Sequence, residues 1–163
     1  MKKRMILLVM ILLLVLTGCG AETAPTETTA AEPVTLNMQE LYNSLTTLDT
    51  IPEMLPLEPD MQLNFCGIDA ADCLQSVVAI CADSLRADEI WLIEAADEAA
   101  LERIQNLAQV RLNAKAEEAE NYSPEQYAVI QEAQQITIGN YYVLLVSPKA
   151  NALAEAVRNA AGN

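Results

Sequence analysis

The chain has 163 residues, of which 9 are basic, 23 are acidic and 52% are hydrophobic, and it contains no histidine. That length fits one domain of ordinary size plus a tether, large enough to be stable without a metal or disulfide staple. A net charge of −14 argues against nucleic acid as a partner, because a phosphate backbone would be repelled. Without imidazole there is no Ser-His-Asp or Cys-His arrangement and no His-bearing zinc site, so neither cofactor nor metal is expected.

Lys2, Lys3 and Arg4 give a short basic start, Met5 to Val15 is an unbroken apolar run, and Leu16-Thr17-Gly18-Cys19 follows directly. This is the order of a secretory signal, and the run is too short for the roughly 20 residues that span a bilayer. The last four residues resemble the lipobox of bacterial lipoproteins. Cleavage between Gly18 and Cys19, with lipid on Cys19, is therefore expected, which makes residues 1–18 a signal peptide. Two acyl chains would anchor the chain permanently, where one would be marginal. The mature chain would keep 6 basic against 23 acidic residues, a net charge of −17. An anionic bilayer surface repels such a domain, so it should stand off the membrane.

Residues 19–33 form the lipidated cysteine and a tether of Thr, Ala, Glu and Pro, on the order of 20 Å long as a flexible coil. A single domain over residues 34–163 follows. Asn37 and Glu40 form a capping box flanked by Leu36 and Leu41, which predicts a helix from about Met38 to Thr47. Pro-punctuated chain from Ile51 to Pro59 leads to a short helix, or alternatively a strand, ending at Gly67.

Val77 to Ala82 and Glu89 to Ala95 read as an antiparallel hairpin, and both runs are apolar on both parities, as in strands covered on two faces. Asp97 opens the longest helix, to about Ala119, with a stripe of Leu101, Ile104, Ala108 and Leu112. Ser123-Pro124-Glu125-Gln126 starts another helix. Gly139-Asn140 turns a second hairpin between Gln134 to Ile138 and Tyr141 to Ser147, and Ser147-Pro148 begins the last helix. The fold class is therefore α+β: an antiparallel sheet of about four strands in two hairpins, with helices packed on it in the order α-α-β-β-α-α-β-β-α.

Several stretches resemble a family of short lipoproteins from Clostridia-type Gram-positive bacteria that carry a domain of unknown function, DUF4358. They are Gly67-Ile68-Asp69, Glu89-Ile90 with Glu94-Ala95 and Asp97-Glu98, Tyr122 to Tyr127, and Gly139-Asn140-Tyr141. The resemblance runs from about Val34 onward. It implies an exported, membrane-tethered α+β domain and supplies no activity and no catalytic residue. Cys66, Cys73 and Cys81 depart from the family pattern.

For chemistry, Asp69 and Asp72 are the one carboxylate pair placed at a turn between structured pieces, although turn and cap roles explain them better. Of the four tyrosines near turns, Tyr142 or Tyr141 can face a ligand but not both, because they alternate along a strand, and Tyr142 is the candidate. Glu117, Glu118 and Glu120 make a solvated acidic patch without calcium-loop spacing. The three cysteines cannot all pair. Cys66 with Cys73 is the possible bridge by separation, and a role as small core hydrophobes is preferred. The expectation is a lipid-anchored lipoprotein on the outer face of the membrane, binding a protein or envelope component without catalysis. A small-ligand carrier for a transporter and a carboxylate-dependent wall hydrolase are the alternatives.

Overall fold

The computed structural model describes residues 35–48 and 51–162. The signal segment, Gly18, Cys19 and the tether lie outside them. Among the described residues are five α-helices and one antiparallel sheet of five strands. In chain order the elements are α1 (Met38–Thr46), β1 (Met54–Pro56), α2 (Pro59–Cys66), a 3-10 turn (Ala70–Asp72), β2 (Cys73–Cys81), β3 (Glu89–Ala95), α3 (Glu98–Tyr122), α4 (Pro124–Gln131), β4 (Gln134–Ile138), β5 (Tyr141–Val146) and α5 (Ala150–Ala160).

The helix ends follow from local chemistry. Asn37 Oδ1 accepts from the Glu40 amide at 3.0 Å, and Asp97 Oδ1 from the Ala100 amide at 2.7 Å, so each closes an otherwise unpaired N–H in the first turn of its helix. Ser123 does the same for Gln126 at the start of α4, with Pro124 at the position where a missing N–H costs nothing. Helix α2 ends at Gly67, whose φ of +75° favours a residue without a Cβ; an added Cβ would also meet Leu107 Cδ2 at 2.9 Å.

The strand order is β1-β2-β3-β5-β4. Each predicted hairpin is present, β2 with β3 and β4 with β5, and the two join through β3 and β5, with Ile93 opposite Tyr142. The fifth strand, β1, lies in the stretch read from sequence as Pro-punctuated chain, which corrects the count of four. Three residues carry no readable alternation. Their pairing of Met54 with Cys81 and Pro56 with Ala79 is decided by chain 23 or more residues away. Proline is tolerated there because β1 is an edge strand.

The central strands are apolar on both parities because both faces are covered. Ile90, Leu92, Val143 and Leu145 face α1 and α5, where they meet Met38, Leu45, Leu153 and Val157. Trp91, Ile93, Tyr142 and Leu144 face the other way, onto Ile104, Ala108 and Leu112 of α3 and Ile130 of α4. The buried stripe of α3 starts at Ala100, and Leu101 stands at its margin. Helix α5 starts at Ala150, three residues beyond Ser147, whose carbonyl and hydroxyl close the preceding turn. Cys66, Cys73 and Cys81 are free thiols, and Cys66 and Cys81 are buried.

Candidate functional site

Strand β3 begins with a carboxylate on its α3-facing side. Glu89 is followed by Ile-Trp-Leu-Ile, and the strand alternation that sends Trp91 and Ile93 toward α3 sends Glu89 there too. On α3, Arg111 and Lys115 are four residues apart and therefore share a face. The two elements meet in an ion cluster. Glu89 Oε1 accepts from Trp91 Nε1 at 2.7 Å and from Arg111 Nε at 3.0 Å. Its Oε2 accepts from a terminal Arg111 nitrogen at 3.1 Å and from Lys115 Nζ at 2.6 Å.

The Glu89 side chain is fully buried, whereas Arg111 and Lys115 keep part of their surface in solvent. Burial alone would raise the Glu89 carboxyl, but Lys115 and Arg111 outweigh it and hold the group below the usual carboxylate range. An anion saturated with donors and kept ionised is a poor proton acceptor, so the cluster is a rigid platform and not an acid/base pair.

The loop before β3 is pinned to the same platform. Lys115 Nζ also donates to the Ala87 carbonyl at 2.8 Å, and the Ala87 amide donates to Gln126 Oε1 of α4 at 2.7 Å. Asp88 is buried, with Oδ2 accepting from Arg86 Nε at 3.0 Å and Oδ1 without a partner among the described residues. Between this loop and the junction of α3 with α4 lies an open groove of about 440 Å³. Its polar lining includes Arg86, Lys115, Glu118 and Gln126, and its apolar lining Leu85, Ala119 and Tyr122. Leu85 is 82% exposed and Tyr122 87% exposed, so two large apolar side chains stand in water at its rim.

Of the residues singled out from sequence, Glu118 and Tyr122 line this groove, while Asp69, Asp72 and Tyr142 lie elsewhere. Asp69 Oδ1 caps the 3-10 turn by accepting from the Ala71 amide at 2.9 Å. Asp72 is bound through both carboxylate oxygens by Arg103, whose hydrogen bond holds its carboxyl below the ordinary value. That is the wrong direction for a general acid, and the two aspartates make no shared site. Tyr142 is 1% exposed, and its hydroxyl donates to Gln135 Oε1 at 2.7 Å. It is a core residue and presents no surface to a ligand, which corrects its candidacy. Tyr141 is buried as well, its hydroxyl accepting from the Leu36 amide. Both faces of β5 are covered, so alternation could not expose either ring.

Read in sequence, the basic residues are dispersed. Folding brings Arg86, Arg111 and Lys115, half of the six beyond residue 18, around two buried carboxylates. The signals were a glutamate heading an apolar strand and an i, i+4 pair of cations beside the apolar stripe of the longest helix. Only the packing of α3 on β3 connects them.

A protein-family model described as a domain of unknown function (DUF4358) matches residues 48–147. The match covers β1 through the end of β5, and with them the ion cluster and the groove. No curated protein and no solved structure matches the chain.

Proposed function

The chain belongs to the DUF4358 family, and from that premise we propose that it is an exported, lipid-anchored binding module. Cys19 carries the acyl chains at the outer face of the cytoplasmic membrane, residues 20–33 tether the domain, and the groove beside Lys115 engages an envelope partner. The observation that carries the binding part is the pairing of a rigid platform with unpartnered apolar rim residues, Leu85 and Tyr122. Preorganised charge beneath exposed aromatic and aliphatic side chains favours recognition, because little ordering remains to be done on binding. The anchoring part is supported by the basic, apolar and Gly18-Cys19 sequence of the first 19 residues.

Two measurements test the two parts. Cys19→Ala in the full chain is expected to leave an unlipidated protein that no longer sediments with membranes after export. An unchanged membrane fraction, or a native Cys19 found by mass spectrometry as a free thiol, removes the anchor. A photo-crosslinking residue at Leu85 is expected to give a discrete adduct in intact envelopes that the same residue at exposed Val110 does not. Equal labelling from both positions removes the groove as the binding surface. A second reading, a small-ligand carrier for a transporter, is favoured by the groove's volume, which falls within the roughly 300–1,000 Å³ of small-molecule sites. It predicts an adduct heavier than the chain by the mass of a small molecule, with no second polypeptide.

A further inference from the structure

The sheet has two outer edges, and they differ. Strand β1 is three residues long and ends in Pro56, which lacks an N–H and so guards its edge against further pairing. Strand β4, Gln-Gln-Ile-Thr-Ile, is five residues long and carries no charge, proline or glycine. The Ala95 amide donates to the Asn140 carbonyl at 2.9 Å, and bonding alternates along an antiparallel strand, so Tyr142 and Leu144 bond toward β3 while Tyr141, Val143 and Leu145 bond toward β4. The β4 residues opposite those three are Ile138, Ile136 and Gln134. Gln135 and Thr137 therefore turn their N–H and C=O groups out of the sheet, and both residues are exposed. Among the described residues, no turn, loop or helix backbone group bonds either amide. Their side chains are tied back toward the helices, Gln135 by the Tyr142 hydroxyl and Thr137 by Gln105 Nε2 at 3.0 Å, and so leave the edge open. Beside it, Gln109, Asn113, Gln131 and Gln135 line a cleft of about 190 Å³ that has no charged residue in its wall.

We infer that β4 accepts an added strand from a partner polypeptide, extended and basic, whose backbone pairs with Gln135 and Thr137. Main-chain bonds supply affinity in such strand addition, and neighbouring side chains supply selectivity. The charge of the surroundings specifies the partner. Residues 116–148 hold five glutamates and no lysine or arginine. Glu132 is exposed two residues before β4, and Glu102 is exposed on α3 one turn before Gln105, the residue that reaches Thr137. Lysine or arginine side chains on the added strand offset both. A second copy would bring the same acidic surface to the same edge in a chain of net charge −14, and the two would repel. The inference does not depend on the groove beside Lys115.

Calorimetry and hydrogen exchange of the β4 amides test it on the full chain in zwitterionic nanodiscs loaded with one chain or with several. The probes are acetyl-Lys-Thr-Val-Lys-Val-Thr-Lys-amide, its counterpart with Glu for each Lys, and the Lys peptide N-methylated at every internal residue. The Lys peptide should bind and slow exchange at Gln135 and Thr137. The Glu peptide should bind about tenfold more weakly, because its charge opposes the edge's surroundings. The N-methylated peptide keeps the charge but not the donors, and should lose binding to a similar extent. Thr137→Pro removes an outward N–H without taking a bond from the pairing of β4 with β5, and should abolish the slowed exchange. Thr137→Lys keeps the backbone and should weaken the Lys peptide alone. Equal binding of the Lys and Glu peptides overturns the basic partner, and equal binding of the N-methylated peptide overturns strand addition. Exchange already slow without peptide at one chain per disc would assign the edge to this chain's own residues 20–34, and exchange slowed only at several chains per disc would assign it to a second copy; each overturns the inference. So does binding unchanged in both variants, or no binding by any peptide.

Discussion

A buried carboxylate is tolerable only when its partners compensate for lost hydration, and Glu89 meets that condition through Trp91, Arg111 and Lys115. Its folded carboxyl lies below the ordinary value of 4.5. The stability linked to its ionisation is therefore fully present above that value and lost as pH falls through the lower folded one. Glu89→Gln should destabilise the domain by about 3 kcal/mol at pH 7, because it leaves two cations without their anion. The difference from the parent protein should shrink once pH drops below 4.5. Urea titrations can follow this through Trp91, the single tryptophan, which donates to Glu89 itself. A difference that stays constant down to pH 3 would show that the ionised carboxylate is not the source. The thiols behave in the opposite sense. Burial, reinforced by the Glu89 charge, pushes Cys66 up to about 11, and burial with Asp72 does the same for Cys73, so both are protonated and unreactive near neutrality.

Helix α3 joins the core to the ion cluster, since its stripe from Ala100 to Leu112 is buried and Arg111 and Lys115 stand beside the end of that stripe. Its place along β3 depends on how firmly its start is set. Asp97 determines that start by accepting from the Ala100 amide, and Ala100 is itself the first buried residue of the stripe. Asp97→Ala should cost about 1 kcal/mol, measured as a lower urea midpoint with unchanged slope. Asp97→Asn, which keeps an acceptor, should recover most of it; equal losses in the two variants would assign the effect to charge and not to capping. The helices and both hairpins could be read from sequence because caps, proline positions and a Gly139-Asn140 turn are local signals. Strand β1 could not, because three residues hold no period and their partner strand is remote.

The molecule as a whole carries far more negative than positive charge, and mutual repulsion among exposed carboxylates works against the compact state. Raising sodium chloride from 20 mM to 0.5 M should therefore raise the thermal midpoint of the mature chain, by about 3–5 °C for each kcal/mol of repulsion screened. The Glu89 cluster is buried and screened little, so Glu89→Gln should show the same salt dependence from a lower starting midpoint. A midpoint that falls with salt would mean that attractive surface pairs, such as Arg103 with Asp72, outweigh the repulsion.

Sequence alone determined the α+β class, most element boundaries, the two hairpins and the family. Each of these depends on residues close together along the chain, or on periodicity within a single element. The tertiary structure decided that Tyr142 is core, that Asp69 and Asp72 serve a turn and an ion pair, and that Arg86, Arg111 and Lys115 gather around Asp88 and Glu89. Such outcomes depend on which elements face one another: Glu89 and its partners Arg111 and Lys115 lie 22 and 26 residues apart, so each local pattern is legible and their meeting is not.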